Sequence, residues 1–241
     1  FEVIKNKEDV AVVGGGPAGL MCAYNLSKKG YRVTIFEASD RLGGALWLIP
    51  EYRLPQEIIK TTVENLVRIA RIDVKYGVRV GDGKMTVAKL RNEGYKAIFL
   101  ATGTPYPRVL TFGPERVEGQ DLSGVMYGLD FLYEVSHGNI QPNYFKTKKV
   151  IVIGGGNVAI DAARSARRLG AREVDLVCLE SRSEMPAFPA DIRDAEEEGI
   201  ILHCSWGVKS ILGEDAVTGI ELKRCTAVFD AAGRFNPVFD E

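Results

Sequence analysis

The feature that most constrains the fold is a pattern that occurs twice along the chain. A short β-branched run is followed by a glycine-rich turn, at residues 14–19 in the first copy and 154–159 in the second. Each turn precedes a helical pattern and then an apolar stretch that ends on a carboxylate, Glu37 or Glu180. Because both copies keep the same order of parts, the sequence predicts two similar βαβ units.

The first turn has the spacing G-x-G-x-x-G, with Gly14, Gly16 and Gly19 in the glycine places. The first glycine permits a sharp turn, the second lets backbone N–H groups approach a pyrophosphate, and the third lets helix and strand pack closely. The helix N-terminus adds unpaired donors and partial positive charge. Glu37 follows Gly19 by 18 residues, where its carboxylate can accept from ribose hydroxyls. We therefore predict a dinucleotide site rather than a simple tight turn.

The second turn has Gly154 and Gly156, with Ala159 in the third place, which asks for slightly looser packing. Glu180 occupies the place that Glu37 has in the first copy. This position predicts that Glu180 binds the ribose of a second dinucleotide. The alternative is a surface carboxylate at the end of a strand.

Between and after the two copies, the pattern predicts further elements. They are helices near 56–70, 86–93, 127–136 and 193–199, strands at 74–80 and 96–103, and a hairpin-like region from 201.

Composition narrows the class of protein. The chain has 241 residues, 46% apolar and 26% charged, with a net charge of −1. This balance argues against nucleic-acid or membrane-surface binding through excess positive charge. No apolar run approaches the roughly 20 residues that a membrane span needs. The chain starts at Phe1 rather than Met, so we expect a segment of a longer protein.

The four cysteines form no CxxC pair and no metal-like cluster; they are Cys22, Cys178, Cys204 and Cys225. This spacing weighs against a dithiol relay and predicts no metal site. Isolated thiols suit a reducing compartment, so we expect a cytoplasmic location.

The motifs GGGPAGL, EASDRLGG, IPEYRLP, FLATGT, VIGGGNVAIDAARSARRLGA and EMPA occur in this order. Together they resemble the FAD/NAD(P)-binding subunit of glutamate synthase and its relatives, including the corresponding part of dihydropyrimidine dehydrogenase, over nearly all of residues 9–225. The resemblance implies an α/β fold with nested Rossmann-like FAD-binding and NAD(P)-binding domains in three layers. It implies the first part of the FAD domain at 1–108, a connector at 109–147 and the NAD(P) domain at 148–241.

The resemblance also implies which residues bind FAD. The glycine turn would hold the pyrophosphate and Glu37 the ribose. Arg53 and Leu54 would lie towards the flavin ring, Val80 would meet the adenine, and 101–103 would close the loop where the chain leaves the domain. The matching positions are Gly14, Gly16, Pro17, Ala18, Gly19, Glu37, Arg41, Gly43, Gly44, Arg53, Leu54, Val80, Ala101, Thr102 and Gly103.

The nicotinamide dinucleotide would bind the second copy. The matching positions are Gly154, Gly155, Gly156, Asn157, Val158, Ala159, Glu180 and Arg182. In such proteins the cofactors supply the chemistry and the protein supplies positioning, so no acid–base residue is nominated.

Relatives that use NADPH usually carry two arginines just before the EMPA element, and here those places are Leu179 and Glu180. A carboxylate about 4 Å from a phosphate charge costs on the order of 4 kcal/mol at an effective dielectric near 20. Screening reduces this to ~2 kcal/mol, still more than tenfold in affinity. A 2′-hydroxyl instead donates to Glu180. The sequence therefore predicts NADH over NADPH, although Arg182 lies near enough in sequence to favour NADPH in part.

Two family elements are absent from this sequence. The cysteine-rich iron–sulfur segment that normally precedes the flavin domain does not occur, and no strand with a glycine–aspartate element completes the FAD domain after residue 225. We therefore expect the FAD domain to lack its C-terminal half, and the iron–sulfur centres to belong to another segment or to a partner subunit.

The sequence thus predicts an enzyme, a flavoprotein that moves a hydride between NADH and bound FAD and passes electrons to an external acceptor. Two alternatives stay open. One is an NADPH-dependent protein of the glutamate synthase small-subunit type. The other is a non-catalytic dinucleotide-binding module.

Overall fold

The computed structural model describes residues 5–240, and its contacts divide the chain into two compact units between Tyr106 and Pro107. Each unit has a parallel sheet that contains one copy of the repeated pattern. The finer division into a flavin-binding part, a connector and a nicotinamide-binding part stays a prediction.

The first unit contains a four-stranded parallel sheet in the order β3-β2-β1-β4. Its strands are β1 (Asp9–Val13), β2 (Arg32–Phe36), β3 (Asp73–Lys75) and β4 (Ala97–Leu100). Its helices are α1 (Pro17–Lys28), α2 (Gln56–Ala70) and α3 (Val87–Asn92), with a 3₁₀ helix at Gly44–Leu48. Strands β1 and β2 are almost fully buried, as expected for a parallel sheet covered by helices.

The second unit repeats this plan with three parallel strands in the order β7-β8-β9. A short hairpin (β5, Thr111–Phe112; β6, Glu115–Arg116) and helix α4 (Gly128–Ser136) come first. The core elements are β7 (Lys149–Ile153), α5 (Asn157–Arg168), β8 (Glu173–Cys178), α6 (Pro189–Glu197) and β9 (Ile201–Cys204). An antiparallel sheet follows, formed by β10 (Trp206–Gly213), β11 (Val217–Phe229) and β12 (Phe235–Phe239).

The strand predicted at 74–80 is wrong in its extent, because regular pairing stops at Lys75. Gly77 has a φ of +67°, a left-handed conformation that ends the strand. The chain then bonds to the loop after β2, with the Val78 N–H donating to the Glu37 carbonyl at 2.8 Å. Val80 forms only an isolated bridge to Met85.

The hairpin predicted from residue 201 is wrong at its start. Strand β9 pairs parallel with β8, so that Cys204 lies opposite Cys178. Ser205, at φ +63°, reverses the chain direction, and the antiparallel hairpin begins only at Trp206. Strand β8 likewise ends at Cys178, two residues before Glu180.

Among residues 5–240, no helix is long and apolar enough to cross a membrane.

Candidate functional site: two glycine turns

The first glycine turn is shaped by contacts that exclude side chains. Gly14 has a φ of +101°, and a β-carbon there would collide with the Ala101 carbonyl. A β-carbon at Gly19 would collide with the Gly14 carbonyl. At Gly16, by contrast, the nearest atom to such a β-carbon would be the Cα of Gly44 at 3.9 Å. The turn is therefore closed towards the protein and open at Gly16, which suits close approach of a ligand to the backbone.

The N-terminus of α1 lies at this opening. Gly16 is the N-cap, and no side chain caps the helix. The first bond within the helix runs from the Leu20 N–H to the Gly16 carbonyl at 2.9 Å, so the N–H groups ahead of Leu20 have no partner in the helix. Pro17 and Ala18 are exposed. Free donors at an exposed helix start fit an anion such as a pyrophosphate.

Glu37 is bonded directly to the glycine turn. Its Oε2 accepts from the Gly15 N–H at 2.6 Å, and its Oε1 accepts from the Ser39 N–H at 2.8 Å and the Ser39 hydroxyl at 2.9 Å. Strand β2 ends immediately before Glu37, so the sheet delivers this carboxylate to the turn. The predicted ribose acceptor therefore lies beside the predicted pyrophosphate site.

The loop after Glu37 folds back onto the turn. The Gly43 N–H donates to the Gly15 carbonyl at 2.8 Å, and Gly44 approaches Gly16. Trp47 is buried, its indole N–H donates to the Leu42 carbonyl at 2.7 Å, and the Arg41 guanidinium lies 4.2 Å from the centre of its ring. Trp47 thus packs the loop against the segment that contains Leu42.

The remaining predicted flavin residues lie in three places of the first unit. Arg53 and Leu54 form a turn whose N–H groups donate to the Pro50 carbonyl. Thr102 and Gly103 line a cavity of about 470 Å³, and the other lining residues are Arg79, Thr104, Pro105 and Tyr106. Val80 is half-buried against the cluster that contains Phe36 and Leu90.

The second turn repeats this arrangement with one difference. Gly154 has a φ of +131°, and a β-carbon there would lie 3.4 Å from the β-carbon of Ala159, an ordinary contact. The β-carbon of Ala159, in the third place, therefore lies on the side of the turn that Gly154 faces. Gly156 is the N-cap of α5, again without a side-chain cap, and a β-carbon there would meet nothing within 4 Å. Val158 is exposed in the first turn of the helix.

The wall of the second turn is formed by the segment before α6, which the sequence reasoning did not foresee. The Ala187 N–H donates to the Gly155 carbonyl at 3.1 Å. Asn157 accepts from the Phe188 N–H at 2.9 Å and donates to Asp191 at 3.1 Å. The Asn157 side chain therefore holds this segment, and Phe188, two-thirds exposed, stands beside the turn. The proline that begins α6 was the only signal of this contact.

Glu180 lies at the second turn, where a β-carbon on Gly155 would be 2.8 Å from its Oε2. Its carbonyl accepts from the Ser205 N–H at 2.9 Å, which fixes the loop to the start of the next sheet. Arg182 points elsewhere, since its Nε and Nη2 donate to Glu196 on α6 at 3.1 and 2.8 Å. Hydrogen bonding by Arg182 lowers the pKa of Glu196.

The cysteines near this turn are free thiols. Burial, together with neighbouring Cys204, raises the pKa of Cys178 to about 12, so its thiol stays protonated and unreactive at neutral pH. Within residues 5–240, no group of three or more histidine, cysteine or acidic side chains could hold a metal ion.

Both units thus bring an open glycine turn, an uncapped helix start and a strand-end carboxylate together. These features fit the pyrophosphate and ribose of a dinucleotide, and they are typical of proteins that bind two dinucleotides.

The comparisons with known proteins agree with this class. The profile of the pyridine nucleotide-disulphide oxidoreductase family matches residues 8–234. The chain belongs to this family, which confirms the predicted resemblance to FAD-dependent pyridine nucleotide oxidoreductases. Family membership implies FAD and NAD(P) as cofactors.

Two curated relatives are similar to this chain in sequence. The chain is 38% identical over 239 residues to the NADP(+)-dependent formate dehydrogenase subunit beta of Moorella thermoacetica. The matched region covers 98% of this chain and 32% of the relative. It is 32% identical to the glutamate synthase [NADPH] small chain of Azospirillum brasilense, over 95% of this chain and 48% of the relative. The chain therefore spans about a third to a half of these proteins.

A solved structure supports the predicted fold. FprA of Mycobacterium tuberculosis, in complex with NADPH, matches with a TM-score of 0.80 and 18% identity, over 97% of this chain and 67% of FprA. The predicted α/β fold with a Rossmann-like parallel core is confirmed.

Proposed function

We propose that the first glycine turn binds FAD, that the second binds NADH, and that the protein containing this chain moves a hydride between them and passes electrons to an external acceptor. The observation that carries the proposal is the repetition of one site in both units. In each, a strand-end carboxylate lies beside an uncapped helix start. When bound, the flavin and the nicotinamide supply the redox chemistry, and the chain binds and orients them.

The choice of NADH rests on the charges around the second turn. Glu180 lies beside Gly155, where it can accept from a ribose 2′-hydroxyl. Arg182, the cation nearest to it in sequence, is bound by Glu196. A 2′-phosphate would therefore meet a carboxylate before it meets a free guanidinium.

NADPH is the second candidate, and the names of the relatives favour it. The formate dehydrogenase subunit is described as NADP(+)-dependent, and the glutamate synthase chain as using NADPH. Dissociation constants for both nucleotides decide between the two candidates.

For the acceptor, we propose iron–sulfur centres on another segment or on a partner subunit. Two observations support an acceptor outside this chain: among residues 5–240 no group of three or more histidine, cysteine or acidic side chains could hold a metal ion, and the similar proteins are described as a beta subunit and a small chain. A cytoplasmic location stays part of the proposal and is supported by four free thiols.

The test is an anaerobic absorbance spectrum of the protein incubated with FAD, recorded before and after stoichiometric NADH. We expect a protein-bound flavin spectrum that bleaches when NADH is added. Bound flavin that neither NADH nor NADPH bleaches would favour a non-catalytic module. The absence of any bound flavin would contradict the proposal outright.

A further inference from the structure

We propose that Glu196 determines nucleotide selectivity by holding Arg182 away from the second turn. The inference deepens the proposed function and rests on nucleotide binding at residues 154–159. Glu196 would not touch the nucleotide, and would act through Arg182 as a positioning residue.

Arg182 and Glu196 form a bidentate ion pair. Arg182 donates through Nε at 3.1 Å to one carboxylate oxygen of Glu196 and through Nη2 at 2.8 Å to the other. This geometry fixes the plane of the guanidinium as well as its distance, which a single bond would not do. The hydrogen bonds that Arg182 donates to Glu196 raise the pKa of Arg182, so the guanidinium is charged at every working pH.

Helix geometry indicates in which direction Glu196 draws the Arg182 side chain. The start of α6 is tied to the second turn, because the Phe188 N–H donates to Asn157. Glu196 lies seven residues after Pro189, which at about 1.5 Å per residue places it ~10 Å further along the helix. An arginine bonded there is drawn along α6 towards the end that is remote from the turn.

The loop from Leu179 to Phe188 contains one basic residue, Arg182. Ser181 donates to Glu184 through its N–H at 3.2 Å and also through its hydroxyl, so the carboxylate of Glu184 stays in the loop. With Arg182 neutralised by Glu196, this loop presents net negative charge to a 2′-phosphate. Releasing Arg182 would supply a bidentate donor to that phosphate.

The experiment measures dissociation constants of NAD⁺ and NADP⁺ by calorimetry for the wild type, Glu196→Gln, Arg182→Gln and the double variant. The matched control is Glu197→Gln, which removes the same charge from an adjacent exposed residue that has no ion pair among the described side chains. Both Arg182 and Glu196 are more than two-fifths exposed, so these variants should fold, and thermal unfolding checks this.

We expect Glu196→Gln to strengthen NADP⁺ binding by about three- to fivefold, which is the scale of an exposed ion pair, and to leave NAD⁺ unchanged. The gain should disappear in the double variant and be smaller in Glu197→Gln. An equal gain in Glu197→Gln would mean that only net charge matters and would overturn the inference. An unchanged ratio, with both nucleotides still bound, would overturn it while leaving the proposed function intact. If neither nucleotide binds the wild type, both fail.

Discussion

Gly19 and Ala159 occupy the same place in the two turns but meet different surroundings. A β-carbon at Gly19 would collide with the Gly14 carbonyl, whereas position 159 already carries the β-carbon of an alanine. The two turns are therefore alike in pattern and different in how tightly helix and strand approach.

This difference predicts an asymmetric response to exchange. Gly19→Ala should lower the free energy of unfolding by about 1–3 kcal/mol, because the backbone must shift to admit the methyl group. Ala159→Gly should cost no more than about 1 kcal/mol, the usual effect of glycine in a helix. Denaturant unfolding measures both, and equal costs would contradict the close contact at Gly19.

Glu180 carries the second prediction at this scale. Glu180→Arg replaces a carboxylate beside Gly155 with a cation, which removes repulsion of a 2′-phosphate and adds attraction. The NADPH dissociation constant should fall by about tenfold or more relative to that of NADH. Glu180→Gln, which removes charge without reversing it, should give an intermediate ratio. If neither substitution changes the ratio, this carboxylate does not face the ribose.

Helices α5 and α6 are joined by a buried ion cluster. The Arg164 side chain is 9% exposed and bonds Asp194 at 3.0 Å and Glu198 at 2.8 Å, while exposed Arg168 bonds Glu198 at 2.7 Å. The basic stretch 164–172 is therefore partly internal. Asn157 at the start of α5 also bonds Phe188 and Asp191. The cluster is therefore a second connection between the two helices that flank the second turn.

Removing the buried member should be costly. Arg164→Ala removes the buried partner of Glu198, which keeps its bond to exposed Arg168, so the free energy of unfolding should fall by about 1–3 kcal/mol. Arg168→Ala removes an exposed partner of the same carboxylate and should cost no more than about 1 kcal/mol. Equal effects in chemical denaturation would show that the cluster is solvated.

The same cluster predicts a dependence on pH. Burial alone would raise the pKa of Glu198, but hydrogen bonds from Arg168 and Arg164 outweigh it and hold that pKa below its ordinary value. A carboxyl whose pKa is depressed on folding stabilises the protein above its unfolded pKa and loses this contribution as the pH falls through the folded value. Stability should therefore decrease from about pH 4 downwards, and Glu198→Gln should flatten the decrease.

At the scale of the whole molecule, the two proposed sites lie in separate units. A substitution in one site should therefore weaken binding of its own ligand and leave binding of the other ligand unchanged. Glu37→Ala removes the carboxylate that accepts from Gly15 and Ser39, and should weaken FAD binding by about tenfold or more. Nucleotide binding to the second unit should stay unchanged. Glu180→Arg should have the converse effect. Fluorescence titration with FAD and calorimetry with NAD⁺ check both, and loss of both ligands in either variant would contradict separate sites.

The local order of strand, glycine turn, helix and carboxylate was predictable from the sequence, because glycine spacing and hydrophobic periodicity are properties of neighbouring residues. The bounds of α2 and the placing of Glu37 at the turn followed from that pattern. Contacts between distant residues were not predictable. The bond between Asn157 and Phe188 depends on where α6 packs.

The same limit applies to strand pairing and to charge. Ser205 turns the chain after β9, so a stretch that has the pattern of a hairpin joins a parallel sheet instead. Arg182 and Glu196 are 14 residues apart and meet only because the loop after β8 folds along α6. The sequence by itself predicted two glycine turns, each with a helix start and a carboxylate beside it, since dinucleotide binding needs particular residues at fixed spacing. Only the tertiary structure decided which charges face each turn, because packing between elements determines the partner of each long side chain.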